Sequence, residues 1–291
     1  MPANQECVVN LNLFVISTIA VAGLGVTSSH AQLGPVLFDN GPFVTSTGAG
    51  FGGADVSVTE SGTPTSLGFN ENNASPLRVA DNFVLSGGGT HRLGTLDFFG
   101  VQRHSAPFTT NVQFGALYIA IYNDNPIFGA APIAGDFTTN RLQSSTWTGA
   151  YRVSSSNLLV QDRPIMRLRA DLSWAPALTD GTYWLVVSAV GDTALAASPN
   201  PQTIIVTPRP LGAEGYQLFN GNWVSTTDYP FVIFGPCPAD FNASGSVTVQ
   251  DIFDFLAAYF ASDPSADVND SGDITVQDIF DYLSLYFGGC A

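Results

Sequence analysis

Between Gln32 and Gly235 apolar and polar residues alternate in short runs. In FGALYIAIYND, Leu117, Ile119 and Ile121 fall on one side and Tyr118, Ala120 and Tyr122 on the other, the period of a strand. In TDGTYWLVVS an Asp180-Gly181 pair reads as a turn ahead of a strand rich in aromatic and β-branched residues. Similar runs are VLFDN, LRVADNFVLS, LGTLDFFGVQ, YRVSSS, IMRLRADLSW, QTIIVTP and YPFVIFG, separated by Gly, Pro, Asn and Ser clusters. About ten strands at this spacing predict an antiparallel all-β sandwich of jelly-roll-like form over residues 32–235.

Past Cys237 the period changes. In the segment after Thr248, Ile252, Phe253, Leu256, Tyr259 and Phe260 recur at helical spacing, and Ile279, Phe280, Leu283, Tyr286 and Phe287 repeat them 27 residues later. The pattern predicts two amphipathic helices whose apolar faces pack together, in a small all-α region over residues 236–291. Aligned by that shift, DFNASGSVTVQDIFDFLAAYF and DVNDSGDITVQDIFDYLSLYF agree at 14 of 21 positions, which marks an internal duplication. The connecting FGPCPAD is too short to be a free tether.

The N-terminus carries a third pattern. The apolar run from Leu11 to Val26, followed by SSHA, reads as a signal peptide spanning residues 1–31 and cleaved after Ala31. A retained membrane anchor is the competing reading, because the leader has no Lys or Arg and carries Glu6. Export implies a secreted or cell-surface protein without a membrane span in the mature chain.

Composition sharpens this. Of 291 residues, 45% are hydrophobic and 11% charged, enough for a packed core. The formal charge of −15 argues against nucleic-acid binding, which needs a basic face. Nine aspartates and no basic residue lie in the tail alone. With Cys7 in the leader, the mature chain keeps Cys237 and Cys290, two cysteines that invite a disulfide in an exported protein.

Each repeat opens with a 12-residue polar loop. An EF-hand loop supplies oxygen ligands from positions 1, 3, 5, 7, 9 and 12, with Gly at 6. The first copy offers Asp240, Asn242, Ser244, the Ser246 carbonyl, Thr248 and Asp251 around Gly245. The second offers Asp267, Asn269, Ser271, the Asp273 carbonyl, Thr275 and Asp278 around Gly272. Two calcium ions are therefore expected. Ser at position 5 and Asp at position 12 point to weak affinity, on the order of 10⁻⁴ M. A helix N-cap turn uses similar residues and is the plainer alternative.

These two loop-plus-helix repeats, the flanking cysteines and the terminal FGGCA resemble a dockerin, specifically the GC-type anchors of exported bacterial proteins. The resemblance covers Cys237 to Ala291. It implies calcium-dependent docking to a cohesin-like module through loop positions 10 and 11, which here are Val249, Gln250, Val276 and Gln277. Many cellulosomal dockerins carry a Ser/Thr pair there, a departure that bears on the partner. The duplication allows two symmetry-related binding modes. A domain of about 55 residues needs such staples, and a Cys237–Cys290 bridge would add roughly 4 kcal/mol on the chain-entropy model.

The strand-rich region offers less. VADNFVLSGGGTHRLGTLDFFGV, GTYWLVVS and DYPFVIFG are similar to a β-sandwich module of exported bacterial proteins. No HExxH, GxSxG or glycine-rich phosphate loop occurs. His91 and His104 read as surface or strand-end residues, and Glu60, Glu71 and Glu214 form no spaced pair of the kind glycoside hydrolysis uses. Trp147 and Trp223 are candidates for sugar stacking or for core, and Trp184 for core. Asp81 reads as a turn residue, with a ligand to a structural ion as the alternative. Two functions remain in view: a non-catalytic exported sandwich with a docking tail, and a component of a polysaccharide-degrading complex, either carbohydrate-binding module or hydrolase.

Overall fold

A computed structural model describes residues 33–59, 69–192, 201–206, 214–244, 246–269 and 271–289. The leader with its cleavage site and Cys7, and also Glu60, Gly245 and Cys290, lie outside the described residues. In chain order the strands are β1 (Val36–Asp39), β2 (Asp55–Val58), β3 (Phe69–Asn70), β4 (Arg78–His91), β5 (Thr95–Val101), β6 (Ala116–Tyr122) and β7 (Ala134–Asp136). They continue as β8 (Leu142–Val153), β9 (Pro164–Asp171), β10 (Leu178–Val190), β11 (Gln202–Thr203), β12 (Tyr216–Phe219), β13 (Asn222–Ser225) and β14 (Phe231–Phe234). Two helices close the chain, α1 (Val249–Phe260) and α2 (Val276–Gly288). No helix among the described residues is long and apolar enough to cross a membrane.

The strands form two sheets. One runs β1-β14-β5-β9-β8-β2, with β11 and β3 attached to its β5 side; the other runs β13-β12-β4-β10-β6-β7. Pairing is antiparallel except for β2 with β8. The sheets face each other across one core, in which Phe83, Leu185, Leu117, Ile119 and Ile121 of the second sheet meet Phe98, Leu168 and Phe231 of the first. The alternation in β6 thus points Leu117, Ile119 and Ile121 inward, as the sequence predicts, while Ala120 and Tyr122 join a smaller cluster on the outer face.

Three local expectations are corrected. Asp180 and Gly181 do not form a turn: they lie inside β10, where the register with β4 slips between Thr179 and Gly181. The irregularity is on the β4 side, where Ser86 to Gly89 stand opposite the single Asp180, and Gly181 has φ +157°. Among the described residues of QTIIVTP, 202–206, only Gln202–Thr203 pairs as strand. Trp184 is buried, yet not between the sheets: it packs on the outer face with Ala80, Tyr122 and Val186, and its ring lies 5.6 Å from Tyr216.

The exit from the strands is tightly held. Gly235 donates to the Pro35 carbonyl at 2.8 Å, and Gly94 donates to that of Phe234 at 2.8 Å. A Cβ on either Gly34 or Gly94 would strike the Gly235 carbonyl oxygen, so only glycine lets these segments approach the linker.

The helices depart from the expected packing in one respect. Phe255, Tyr282 and Ala266 centre the C-terminal core, with Phe241, Ile252, Leu256, Tyr259, Ile279 and Tyr286 around them. Phe253, Phe260, Phe280 and Phe287 point outward instead. The helical period places all these residues, but each helix carries apolar positions on two sides, and only one side meets the core.

Candidate functional site

The two repeated loops place the same atoms at the same spacings. In the first, the Ser244 backbone N–H donates to Asp240 Oδ1 at 2.8 Å and to Asn242 Oδ1 at 3.0 Å. The Ser244 hydroxyl lies 3.3 Å from Asp240 Oδ1 and 3.1 Å from the Ser246 carbonyl oxygen. In the second, Ser271 N–H reaches Asp267 Oδ1 and Asn269 Oδ1 at 3.0 and 3.1 Å. Its hydroxyl lies 3.4 Å from Asp267 Oδ1 and 3.0 Å from the Asp273 carbonyl oxygen. Corresponding distances differ by no more than 0.2 Å.

The amides are oriented from outside the loops. Asn242 Nδ2 donates to Asp254 Oδ2 at 2.8 Å, and Asn269 Nδ2 to Asp281 Oδ2 at 2.8 Å. That leaves each Oδ1 turned toward the serine. Hydrogen bonds from the side chains of Asn242 and then Gln250 hold the Asp254 carboxyl below the usual carboxylate range.

Each loop closes on an aspartate that caps the helix behind it. Thr248 N–H donates to Asp251 Oδ2 at 2.7 Å, while the Thr248 hydroxyl accepts from Gln250 N–H in a capping box. Thr275, Asp278 and Gln277 repeat this, with Thr275 N–H to Asp278 Oδ2 at 2.7 Å. Asp251 and Asp278 are both fully buried. Asp251 Oδ1 also accepts from Asn242 N–H at 3.2 Å, and Asp278 Oδ1 from Val268 N–H at 3.1 Å. The Thr275 N–H is the main cause that keeps the Asp278 carboxyl below its ordinary range. The N-cap role expected as the plainer alternative is therefore present, and it uses the residues at positions 9 and 12 while Asp240, Asn242, Ser244 and Ser246 lie outside it.

Backbone twists support the bends. Gly272 has φ +88°, and Ala243 has φ +54°, a left-handed conformation that costs an L-residue about 1–2 kcal/mol. The donors are all oxygen, a set for a hard cation such as calcium rather than for zinc. Oxygens that share one ion at about 2.4 Å stand about 3 Å from each other, which matches the serine-centred spacings. Among the described residues there is no group of three or more His, Cys, Asp or Glu that could hold a metal ion, and each loop's expected ligand set includes two side-chain carboxylates beside neutral oxygens.

Asp240 and Ser244 also form one wall of a cleft of about 260 Å³, whose opposite wall is Thr95, Gln143, Asp171 and Ser173 at the end of the first sheet. Cys237 lines it too and is not a free thiol. Val249, Gln250, Val276 and Gln277 are all exposed at the helix starts. Both glutamine amides donate to the following turn, Gln250 to Asp254 at 2.9 Å and Gln277 to Asp281 at 2.8 Å.

Among the strands, the polar residues lie apart. His104 is buried with both ring nitrogens unpartnered, and burial lowers its pKa, so the surface reading is corrected. His91 sits at a strand end as expected, with Nε2 2.6 Å from Asp180 Oδ1. Asp81 is no turn residue. It points from β4 into the core and accepts from Asn40 Nδ2 (2.8 Å), Tyr229 N–H (2.7 Å) and Asn82 N–H (2.8 Å). Burial still raises its pKa well above the carboxylate norm. Glu71 is fully buried with neither carboxyl oxygen hydrogen-bonded, whereas Glu214 is exposed and bonds Asn82 Nδ2. Trp147 is about one-third exposed and lies beside Tyr151 at 5.4 Å, while Trp223 is half-buried against the outer cluster. Sequence reasoning missed the buried acids, for which alternation around Asp81 was the available signal.

No family model matches the chain, and no curated protein matches it.

Proposed function

We propose that this chain is an exported, non-catalytic β-sandwich of jelly-roll-like form, held at a cell surface or in a secreted assembly by a calcium-dependent, dockerin-like tail. The tail is an all-α module of two EF-hand-like loop–helix repeats. It takes two calcium ions through Asp240, Asn242, Ser244, Ser246, Thr248 and Asp251, and through Asp267, Asn269, Ser271, Asp273, Thr275 and Asp278. Two bound ions would offset four of the nine aspartate charges in the tail, which has no basic residue of its own. The observation that carries the reading is the doubled cluster of oxygens about 3 Å apart around Ser244 and Ser271. A bridge between Cys237 and Cys290 would staple the module's ends, and the engaged Cys237 supports it. The partner is a cohesin-like protein module that meets the helix starts at Val249, Gln250, Val276 and Gln277. Calorimetric titration of calcium into the chelator-stripped chain should give two sites; heat for none removes the reading.

A second reading, a carbohydrate-binding component of a polysaccharide-degrading complex, is favoured only by the exposed Trp147 ring beside Tyr151. Retention on a polysaccharide panel that W147A lacks would support it, and no retention by either form removes it.

A further inference from the structure

We propose that the two calcium loops are unequal and fill in order: the loop ahead of α2 takes its ion first and more tightly, and the loop ahead of α1, which walls the cleft against the first sheet, fills last. This inference rests on the reading of the tail as a two-calcium module and adds the order of loading and its control.

The ligand atoms do not cause the difference. Corresponding serine-centred distances agree within 0.2 Å, and both loops supply the same residue types at positions 1, 3, 5, 9 and 12. The loops part at positions 4 and 7. The first carries Ala243 and Ser246 there, and the second carries Asp270 and Asp273. Position 7 gives an ion its backbone carbonyl, so the Asp273 carboxylate is surplus to the ligand set. The second loop thus holds four carboxylates in twelve residues and the first only two, with no basic residue in either.

Surplus carboxylates act through space. Two unit charges about 8 Å from a divalent ion in water are worth roughly thirtyfold in affinity at low ionic strength, and salt screens most of it. Asp171 works the other way: it lies across the cleft from Asp240 and Ser244 and lends the first loop one carboxylate from β9. One charge across a cleft offsets only part of two within a loop.

Backbone conformation favours the same loop. Ala243 is left-handed, with φ +54°. That region is disfavoured for an L-residue with an apolar side chain, whereas aspartate, the residue type at position 4 of the second loop, visits it more readily. An ion in the first loop must also hold that bend.

Placement gives the order its consequence. Asp240 and Ser244 line the cleft with Thr95, Gln143, Asp171 and Ser173, and among the described residues of the second loop none lines it. The tight site supports the α2 cap through Asp278. The weak site governs the joint between the tail and the strands, so the calcium level that fills the first loop is the level at which that joint is set.

The test is a calorimetric titration of calcium into the chelator-stripped full chain. At about 10 mM salt it should show two steps at least about tenfold apart in affinity, narrowing to about threefold or less in about 0.5 M sodium chloride. D278N should abolish the tight step, and D251N the weak one. The exchange variant A243D/S246D/D270A/D273S alters no side-chain ligand and should reverse the order, so that adding D251N to it removes the tight step. Helical circular dichroism in calcium checks that each variant is folded. Two equal steps, a tight step lost with D251N in the otherwise unaltered chain, or an order that the exchange leaves in place overturns the inference while the two-calcium reading stands. No calcium uptake by the unaltered chain sinks both.

Discussion

Tyr282 in α2 donates its phenolic hydrogen to the carbonyl of Ala239 at 3.0 Å, which ties the final helix to the linker 43 residues earlier. Both Tyr282 and Ala239 are fully buried. Y282F keeps the ring on Phe255 and leaves that carbonyl without its donor. The loss should cost about 1–3 kcal/mol, and the helical signal should melt several degrees lower. A transition that stays in place would show the bond to be idle.

Asp251 and Asp278 each serve a helix cap and the end of an oxygen cluster. D251N should reduce calcium uptake from two ions to one while the second loop titrates as before. D251A should in addition remove the cap, at a cost of about 1 kcal/mol. Calorimetry reads the first effect and the helical circular dichroism at 222 nm, on the order of a tenth of its amplitude, the second.

The buried Glu71 predicts a pH effect of known sign. Burial raises its pKa in the folded chain, so its favourable contribution is complete below the unfolded value of about 4.3 and is lost as pH rises through the folded value. E71Q should therefore stabilise the chain at pH 7 relative to the parent and lose that advantage near pH 4. Urea midpoints at both pH values measure it; an equal shift at each would remove the assignment to ionisation.

Arg169 clasps Asp97 with two hydrogen bonds, at 2.7 and 2.8 Å, across β9 and β5. Asp97 is nearly fully buried. R169M leaves that carboxylate without its two hydrogen bonds and with only the Arg167 guanidinium, 3.9 Å away, and should cost about 3 kcal/mol, whereas D97L/R169M should recover most of the loss. Denaturant unfolding of the two variants checks the difference. By contrast, R103A at the half-exposed end of its pair with Asp162 should change stability by less than about 1 kcal/mol.

Alternation was legible where one face of a strand is buried, as in β6, because a period of two leaves Leu117, Ile119 and Ile121 no other side. The duplication was legible because it repeats residue types at fixed offsets, and the structure repeats their hydrogen bonds. Other features were not. Asp180-Gly181 has turn composition, yet the long pairing of β10 with β4 overrides it and leaves a bulge. Asp81 breaks the apolar rhythm of its strand, and its burial depends on Asn40 and Tyr229, which are distant in sequence. The outward turn of Phe253 and Phe260 could not be read from their period, since a helix with apolar residues on two sides does not say which side its neighbour takes.

The clasp of Gly34 and Gly94 around Gly235 has a mechanical meaning. With no room for a side chain at either position, Gly235, the residue just past the last strand, works as a rivet and not as a swivel. Force applied to the acidic helices is then handed straight to β14 and its neighbour β5, so a pull on the C-terminal end loads the middle of the first sheet instead of stretching a leash.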